Sequence, residues 1–404
     1  MYTGALEGIR VADFSLAWAG AYTSTLLTYL GAEVIKIESS RKPDHTRRFS
    51  MSTSAVFEGL DRSPIFNDIN TNKLSVTIEL SQPKGIELAK KLASVCDVVT
   101  QNMRPGVMER LGLSYEELKK VKPDIIYLSS SLRGSTGPER NYGGYAPNFA
   151  AVSGLSNITG YADDLPAGFM GEIDLMSATT AALGILAALN YRSLTGRGQH
   201  IDLSSSDAIT ALMGDVILDY TVNGRVQSRN GNVNGFMAPH NCYRCKGEDK
   251  WVSIVIASDE EWDDFCAALG NPEWAKEERF GDIYTRWQNQ DELDRLIEEW
   301  TVNHTDYEVM EKLQKSGIAA VPSFSSMELC TDPHLEERSA WVEVNHPIIG
   351  KQTVTAPPWK LSVTPAQVYR PGPLLGEHNQ YIFGELLGMS STEIDRFIEE
   401  KVIY

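Results

Sequence analysis

The chain has 404 residues, too many for one simple core and enough for two domains, with 42% hydrophobic and 23% charged residues as in an ordinary globular protein. Its formal net charge of -17 excludes a broad nucleic-acid or anionic-membrane partner, because phosphate binding needs a basic face, although a local basic cluster can still hold a small polyanion. Five cysteines (Cys96, Cys242, Cys245, Cys266 and Cys330) and an N-terminus with no basic start or apolar signal core set the expectation of free thiols in the cytoplasm.

In chain order, Ile9 to Phe14 reads as a strand, Ala19 to Leu30 as a small-residue helix capped by Gly31, and Glu33 to Glu38 as a second strand. Strands then follow at Leu74 to Glu79, Asp97 to Thr100 and Asp124 to Ser129. Between them lie helices at Lys84 to Ser94 and, from the capping pattern Ser114-Tyr-Glu-Glu117, to Lys120. This alternation predicts an open, doubly wound parallel α/β sheet, Rossmann-like in plan. An apolar helix follows Asp174. It reads as buried on all sides, and as too tightly bracketed by Asp174 and Asn190 to supply the ~18 apolar residues of a membrane span. A strand at His200 to Leu203 and a helix from Asp207 to about Val222 come next.

Composition changes at Asn223. The segment to Gly235 is polar and rich in Gly and Asn, as a linker is. Beyond it, Trp251 to Ile256 reads as a strand. Helices are expected after Ser258 to Leu269, at Gln290 to Val302, at Asp306 to Ser316 and after the capping pattern Ser390 to Glu393. The expected division is a large α/β domain over 1–222, a smaller α+β domain with its linker over 223–325, and a return segment over 326–404 that completes the large domain.

The βαβ start invites a dinucleotide, but its turn, Ser15-Leu-Ala-Trp-Ala-Gly20, lacks the glycine spacing that lets a pyrophosphate approach a helix N-terminus. Cys242-Tyr-Arg-Cys245 is a lone pair in a strand-like stretch, whereas structural zinc wants four ligands; no metal is expected. Basic residues gather in three groups: Arg41, Lys42, Arg47 and Arg48; Lys73; and Arg104 and Arg110. All three follow the C-terminal ends of predicted strands, where open α/β sheets bind ligands. Solvated loop charge is the plainer reading, but three groups at one edge fit a phosphate-bearing ligand. Asp174 has two readings as well. It suits an N-cap that offsets the helix dipole, and it suits a carboxylate nucleophile that helix N–H groups keep ionised. Glu172 reads as a supporting or surface acid.

Several blocks together resemble the family III CoA-transferases, with the 2-methylacyl-CoA racemases as relatives. They are Leu6 to Phe14, Leu30 to Glu38, Asn70-Thr-Asn-Lys73, Asn102 to Gly112, Asp174 through Gly184-Ile-Leu-Ala-Ala-Leu189 to Gln199, Asp332-Pro-His334 and Pro373 to Asn379. The resemblance covers nearly the whole chain, in the family's order. It implies that Asp174 attacks an acyl-CoA thioester, that an aspartyl anhydride and an aspartyl-CoA thioester follow, and that CoA passes to an organic acid. It further implies CoA contacts at Asn72, Lys73, Leu74, Asn102, Met103 and Arg110. Arg41 or Lys42 would replace the family's arginine, whose position is Ser39 here. An active-site position of the family carries Trp18. The glycine loop shielding the intermediate would include Gly231 and Gly235. The fold would be an interlocked ring dimer of two identical chains or of two homologous subunits. CoA enters as substrate, with no metal.

Within that resemblance, Trp18, Tyr145 and Phe149 read as an aromatic wall or as plain core. Arg47 or Arg48 would pair with a second carboxylate, and an aromatic or dicarboxylic acid is the expected substrate. The family's Gly-Phe-Asp and following Gln are replaced in Gly144-Tyr-Ala-Pro-Asn-Phe-Ala150. Tyr145 stands where the racemases place a histidine, which counts against proton exchange at an α-carbon. Two alternatives stay open at this point: a racemase-like isomerase, and a non-catalytic subunit of a heteromeric transferase.

Overall fold

The computed structural model describes residues 4–48 and 59–404. The chain divides into two compact units. The larger holds 1–157, 167–227 and 334–404, and the smaller holds 158–166 and 228–333.

The larger unit is built on six parallel strands: β1 (Arg10–Asp13), β2 (Glu33–Glu38), β3 (Leu74–Thr77), β4 (Val98–Gln101), β5 (Ile126–Ser131) and β6 (His200–Ser204). Their spatial order is 3-2-1-4-5-6, and every neighbouring pair is parallel. Successive side chains leave opposite faces of a strand, and both faces of β1 to β5 are largely buried, so those strands read as near-continuous apolar runs, whereas β6 at the edge has no fully buried residue. On one face Val11, Val34, Val98 and Ile126 pack with Leu27 and with Ala181, Ile185 and Ala188. On the other, Ala12, Ile35, Val76 and Val99 pack with Leu88, Leu92 and Leu118.

Two helices on the first face carry the site. Trp18–Tyr29 is rich in small and hydroxylated residues, and Thr23, Ser24, Thr25 and Thr28 are all buried. Each returns its hydroxyl to a carbonyl of its own helix, so none is left unpaired as the helix packs against its neighbour. That neighbour runs Gly171–Thr195. By length and composition it is long and apolar enough to cross a membrane, contrary to the sequence expectation. Its inner residues nevertheless belong to the core against the sheet, so it is a core helix. Nor is it buried all round: Leu183 is 67% and Leu194 78% exposed. The helix ends at Gly196, whose φ of 71° is left-handed. At Gly198 a Cβ would stand 2.1 Å from the Ile125 carbonyl oxygen, so only glycine lets the turn approach β5 this closely.

The expected 207–222 helix is interrupted. It begins at Ser205, passes through a 3₁₀ turn at Ala211–Met213 and resumes over Gly214–Asn223. The return segment closes the open edge of the sheet. Asn379 Oδ1 accepts the Thr77 N–H at 2.9 Å, and His378 Nδ1 accepts the Ser75 N–H at 3.2 Å. The Pro373–Asn379 block therefore works as edge cover for β3.

The smaller unit holds an antiparallel sheet of β7 (His240–Arg244), β8 (Trp251–Val255) and β9 (Ala319–Pro322). Its core includes Val252, Ile254, Trp262, Phe265, Leu293 and Val309. Residues 158–166 join this unit, tied by the Gly231 N–H to the Gly160 carbonyl at 2.9 Å. Cys242 lies on β7 and Cys245 just past its end, and all five cysteines are free. A hairpin of β10 (Trp341–His346) and β11 (Gly350–Thr355) belongs to the larger unit and is absent from the sequence reading.

Candidate active site

A cavity of about 1060 Å³ opens in the larger unit. Its lining comes from the C-terminal ends of the strands: Phe14 after β1, Glu38 and Ser39 at β2, Ile78 and Glu79 after β3, Asn102 and Met103 after β4, and Ser130 to Leu132 at β5. The strand order reverses between β1 and β4, and such a switch point is where an open parallel sheet leaves a crevice. The volume is at the upper end for ligand sites and suits a large ligand.

Asp174 lines this cavity. It does not cap its helix: the helix starts at Gly171 after Met170, and the Met170 side chain makes no capping bond. Asp174 therefore sits one turn inside. The Ala19 amide, in the first turn of the Trp18–Tyr29 helix, faces its carboxylate and favours the charged form. Nor do helix amides keep it fully ionised, as the sequence led one to expect. Burial pushes its carboxyl up to about 7, and the Ala19 amide only partly offsets this. Glu172 is exposed, accepts the Met170 N–H at 2.9 Å, and is held below the usual carboxylate range by such backbone bonds.

The turn that presents Ala19 is strained. Ala17 adopts φ 64° and ψ -167°, a region that is essentially glycine's and costs a residue with a Cβ about 1–3 kcal/mol. Trp18 follows it, and its indole packs over Gly171, where a Cβ would stand 3.3 Å from the ring. Beneath the turn lies a buried charge network. Lys36 pairs with Asp44 at 2.7 Å, and Lys73 pairs with Asp13 at 3.2 Å. Burial lowers Lys73 to about 8; Asp13 opposes that shift, and the nearby Lys36 adds to it.

Several of the expected site residues meet in the cavity: Trp18, Arg41, Lys42, Asn102, Met103, Tyr145, Phe149 and Asp174. Others do not. Asn72 holds the return segment, accepting from the Tyr369 and Arg370 amides at 2.8 and 3.0 Å. Lys73 is fully buried, and Leu74 lies in the core. Arg110 and Arg48 are exposed and outside the lining. Arg47 has no free face for a substrate carboxylate. It is fully buried, pairs with Glu38 at 2.7 Å and Asp61 at 2.6 Å, and stacks 3.6 Å over the Phe66 ring. Gly231 and Gly235 belong to the smaller unit. The sequence reading did not choose His45, Tyr142 or Ser205, which line the cavity together with Arg104. Arg104 was legible as a cation past β4. Among the described residues, no cluster of three or more His, Cys, Asp or Glu could hold a metal ion.

The family model of the CoA-transferase family III matches residues 6–379. The chain belongs to the family III CoA-transferases. It is an enzyme that moves CoA between an acyl-CoA and a carboxylate. It is 34% identical to the succinyl-CoA–D-citramalate CoA-transferase of Chloroflexus aurantiacus, covering 98% of both chains. It is 33% identical to the alpha subunit of the succinyl-CoA–L-malate CoA-transferase of the same organism, covering 98% of this chain and 92% of that one. Among solved structures, a CAIB/BAIF family protein from Brucella suis superposes with a TM-score of 0.86 at 28% identity, covering 95% of this chain and all of that one.

For a CoA-transferase that works through an ionised carboxylate, the raised Asp174 has a kinetic consequence. If Asp174 is that carboxylate, its charged form gains population as pH rises through about 7. The rate of exchange at low acyl-CoA should climb tenfold per pH unit below that point and level off above it. A pH–rate profile of kcat/KM checks this; a flat profile from acid to neutral pH would contradict it.

Proposed function

We propose that this CoA-transferase exchanges CoA between dicarboxylic acids through covalent catalysis at Asp174. The observation that carries the reading is the carboxylate itself, set in the wall of a large cavity at the sheet's switch point. In the first step its oxygen attacks the thioester carbonyl, forming an aspartyl–acyl anhydride and releasing CoA thiolate. The thiolate attacks the aspartyl carbonyl, giving an aspartyl-CoA thioester and freeing the first acid. The second acid's carboxylate attacks that thioester, forming a new anhydride and again releasing thiolate. The thiolate then takes the new acyl group and Asp174 returns as a carboxylate. Each step trades one acyl bond for another, so no proton or electron is consumed. The apolar wall of Phe14, Leu16, Trp18 and Phe149 would limit the water that hydrolyses an anhydride.

The dicarboxylic class is supported by the relatives, whose names pair succinyl-CoA with citramalate and malate. It is also supported by Arg104, Arg41 and Lys42 in the same cavity, which supply positive charge for CoA phosphates and for a second carboxylate. A paired assembly, of two copies or of two homologous subunits, belongs to the same proposal. One relative is named as a subunit of a larger enzyme. The larger unit also exposes Leu183, Leu194, Leu218, Tyr220 and Val222, apolar side chains that a second subunit would cover.

The test is a panel assay. Purified protein is given succinyl-CoA and, in turn, malate, citramalate, glutarate, oxalate and a monocarboxylate, and new thioesters are followed by mass spectrometry. Dicarboxylates should form acyl-CoA with equimolar release of succinate. Transfer confined to the monocarboxylate would overturn the substrate class.

A further inference from the structure

Every backbone polar group from Ser15 to the Ala17 amide is held by a buried or half-buried side chain. The Ser15 N–H donates to Asp13 Oδ1 at 2.9 Å, and the Ser15 carbonyl accepts from Lys36 Nζ at 3.0 Å. The Leu16 N–H donates to Asn102 Oδ1 at 2.8 Å, and the Leu16 carbonyl accepts from Asn102 Nδ2 at 2.6 Å. The Ala17 N–H donates to Asp44 Oδ1 at 3.1 Å. Asn102 alone engages a donor and an acceptor of one residue, which mimics a strand pairing and fixes both directions of Leu16. Its approach is close: a Cβ on Gly20 would stand 2.8 Å from Asn102 Cγ, so glycine there makes the clamp possible. Ala17 comes next, in its glycine-type conformation, and two residues on is the Ala19 amide, which favours the charged form of Asp174.

We propose that Asn102 is a positioning residue for Asp174: by clamping Leu16 it holds the strained Ala17 turn and so aims the Ala19 amide at the carboxylate. The resemblance assigned Asn102 to CoA contact. In this geometry the amide of its side chain faces Leu16 at both ends. The proposal rests on Asp174 as the nucleophile. Without the clamp, Ala17 relaxes toward an ordinary conformation, the Ala19 amide turns away, and the carboxylate loses the donor that favours its charged form.

The test compares wild type, Asn102→Ala, Ala17→Gly and the double variant in steady-state exchange over a pH series, with thermal unfolding of each. Asn102→Ala should lower kcat roughly 10- to 100-fold, leave KM for acyl-CoA within about twofold, and move the pH midpoint upward. Ala17→Gly in that background should restore most of kcat and of the midpoint, because glycine holds the turn without a clamp. Asn102→Ser, which still bonds one of the two Leu16 groups, replaces the alanine variant if that one does not fold. A raised KM with unchanged kcat and midpoint would make Asn102 a CoA ligand and overturn the proposal, as would the absence of rescue by Ala17→Gly. Hydroxylamine labelling of wild type separates the premise from the proposal. Active protein that is unlabelled at Asp174 removes the premise, whereas labelled protein without rescue overturns the positioning role alone.

Discussion

Asp174→Asn should reduce CoA exchange by at least ~10³-fold while leaving the fold intact. Asparagine keeps the shape and can still accept from the Ala19 amide, but it has no carboxylate to form an anhydride. The same substitution should make the protein more stable. Asp174 is raised from 3.8 to about 7, so its favourable contribution is complete only below the unfolded value. That contribution is lost as pH rises through about 7, where the folded chain must hold a half-buried charge. Removing the charge should return up to about 4 kcal/mol at alkaline pH, less whatever the residual solvent exposure already screens. The combination of an inactive and stabilised variant is diagnostic of a residue kept for chemistry against its own solvation. Exchange assays paired with denaturant unfolding at two pH values, one on either side of neutrality, read both halves. Activity within tenfold of wild type in Asp174→Asn would refute the role, and a clear loss of stability at alkaline pH would refute the electrostatics.

Asp13→Ala should damage the fold more than any other single change argued here, by about 3–5 kcal/mol. Asp13 is fully buried. Its Oδ1 accepts from the Ser15 amide and hydroxyl and from Thr100 Oγ1 at 3.0 Å. Its Oδ2 accepts from Ser24 Oγ at 2.6 Å and Lys73 Nζ at 3.2 Å. Alanine would leave two buried lysines, Lys36 and Lys73, with only Asp44 in direct ion-pair contact between them, and would strand the Ser15 and Thr100 hydroxyls. Against a total stability of about 5–15 kcal/mol, that is a large fraction. The sign with pH follows from the lowered Asp13 carboxyl, for which the surrounding lysines and hydroxyls more than offset burial. Its contribution is present above the unfolded value and disappears as pH falls through the folded one. Urea unfolding at neutral pH measures the loss. A change below about 1 kcal/mol would mean the network contributes little, in line with buried ion pairs that merely break even.

The alternation of strands and helices was legible because most of the parallel strands are covered on both faces and so read as apolar runs, as in Glu33–Glu38, whose bounds match the sequence reading. Capping residues were legible for the same local reason: Ser114, Ser258 and Ser390 each accept from the amide three residues on. What failed was non-local. Arg47 and Lys73 look like solvated charge because their partners, Glu38 and Asp13, stand 9 and 60 residues away in the chain. Asp174 looked like a cap because the amide that faces it belongs to Ala19, on a different helix. Asn72 was assigned to a ligand although its bonds run to 367–370, a return stretch invisible from its neighbourhood. The β10–β11 hairpin did leave a signal, the inward Val342, Val344 and Val354, but the proline-rich composition downstream masked it.

The most direct measurement is to capture the covalent intermediate. Protein incubated with succinyl-CoA, quenched with hydroxylamine and digested should give one peptide in which Asp174 carries the hydroxamate, with an equimolar burst of CoA released and no label in Asp174→Asn. An active enzyme whose Asp174 peptide stays unmodified over a range of acyl-CoA donors, or whose label falls on another carboxylate of the cavity such as Glu38 or Glu79, would contradict covalent transfer through Asp174.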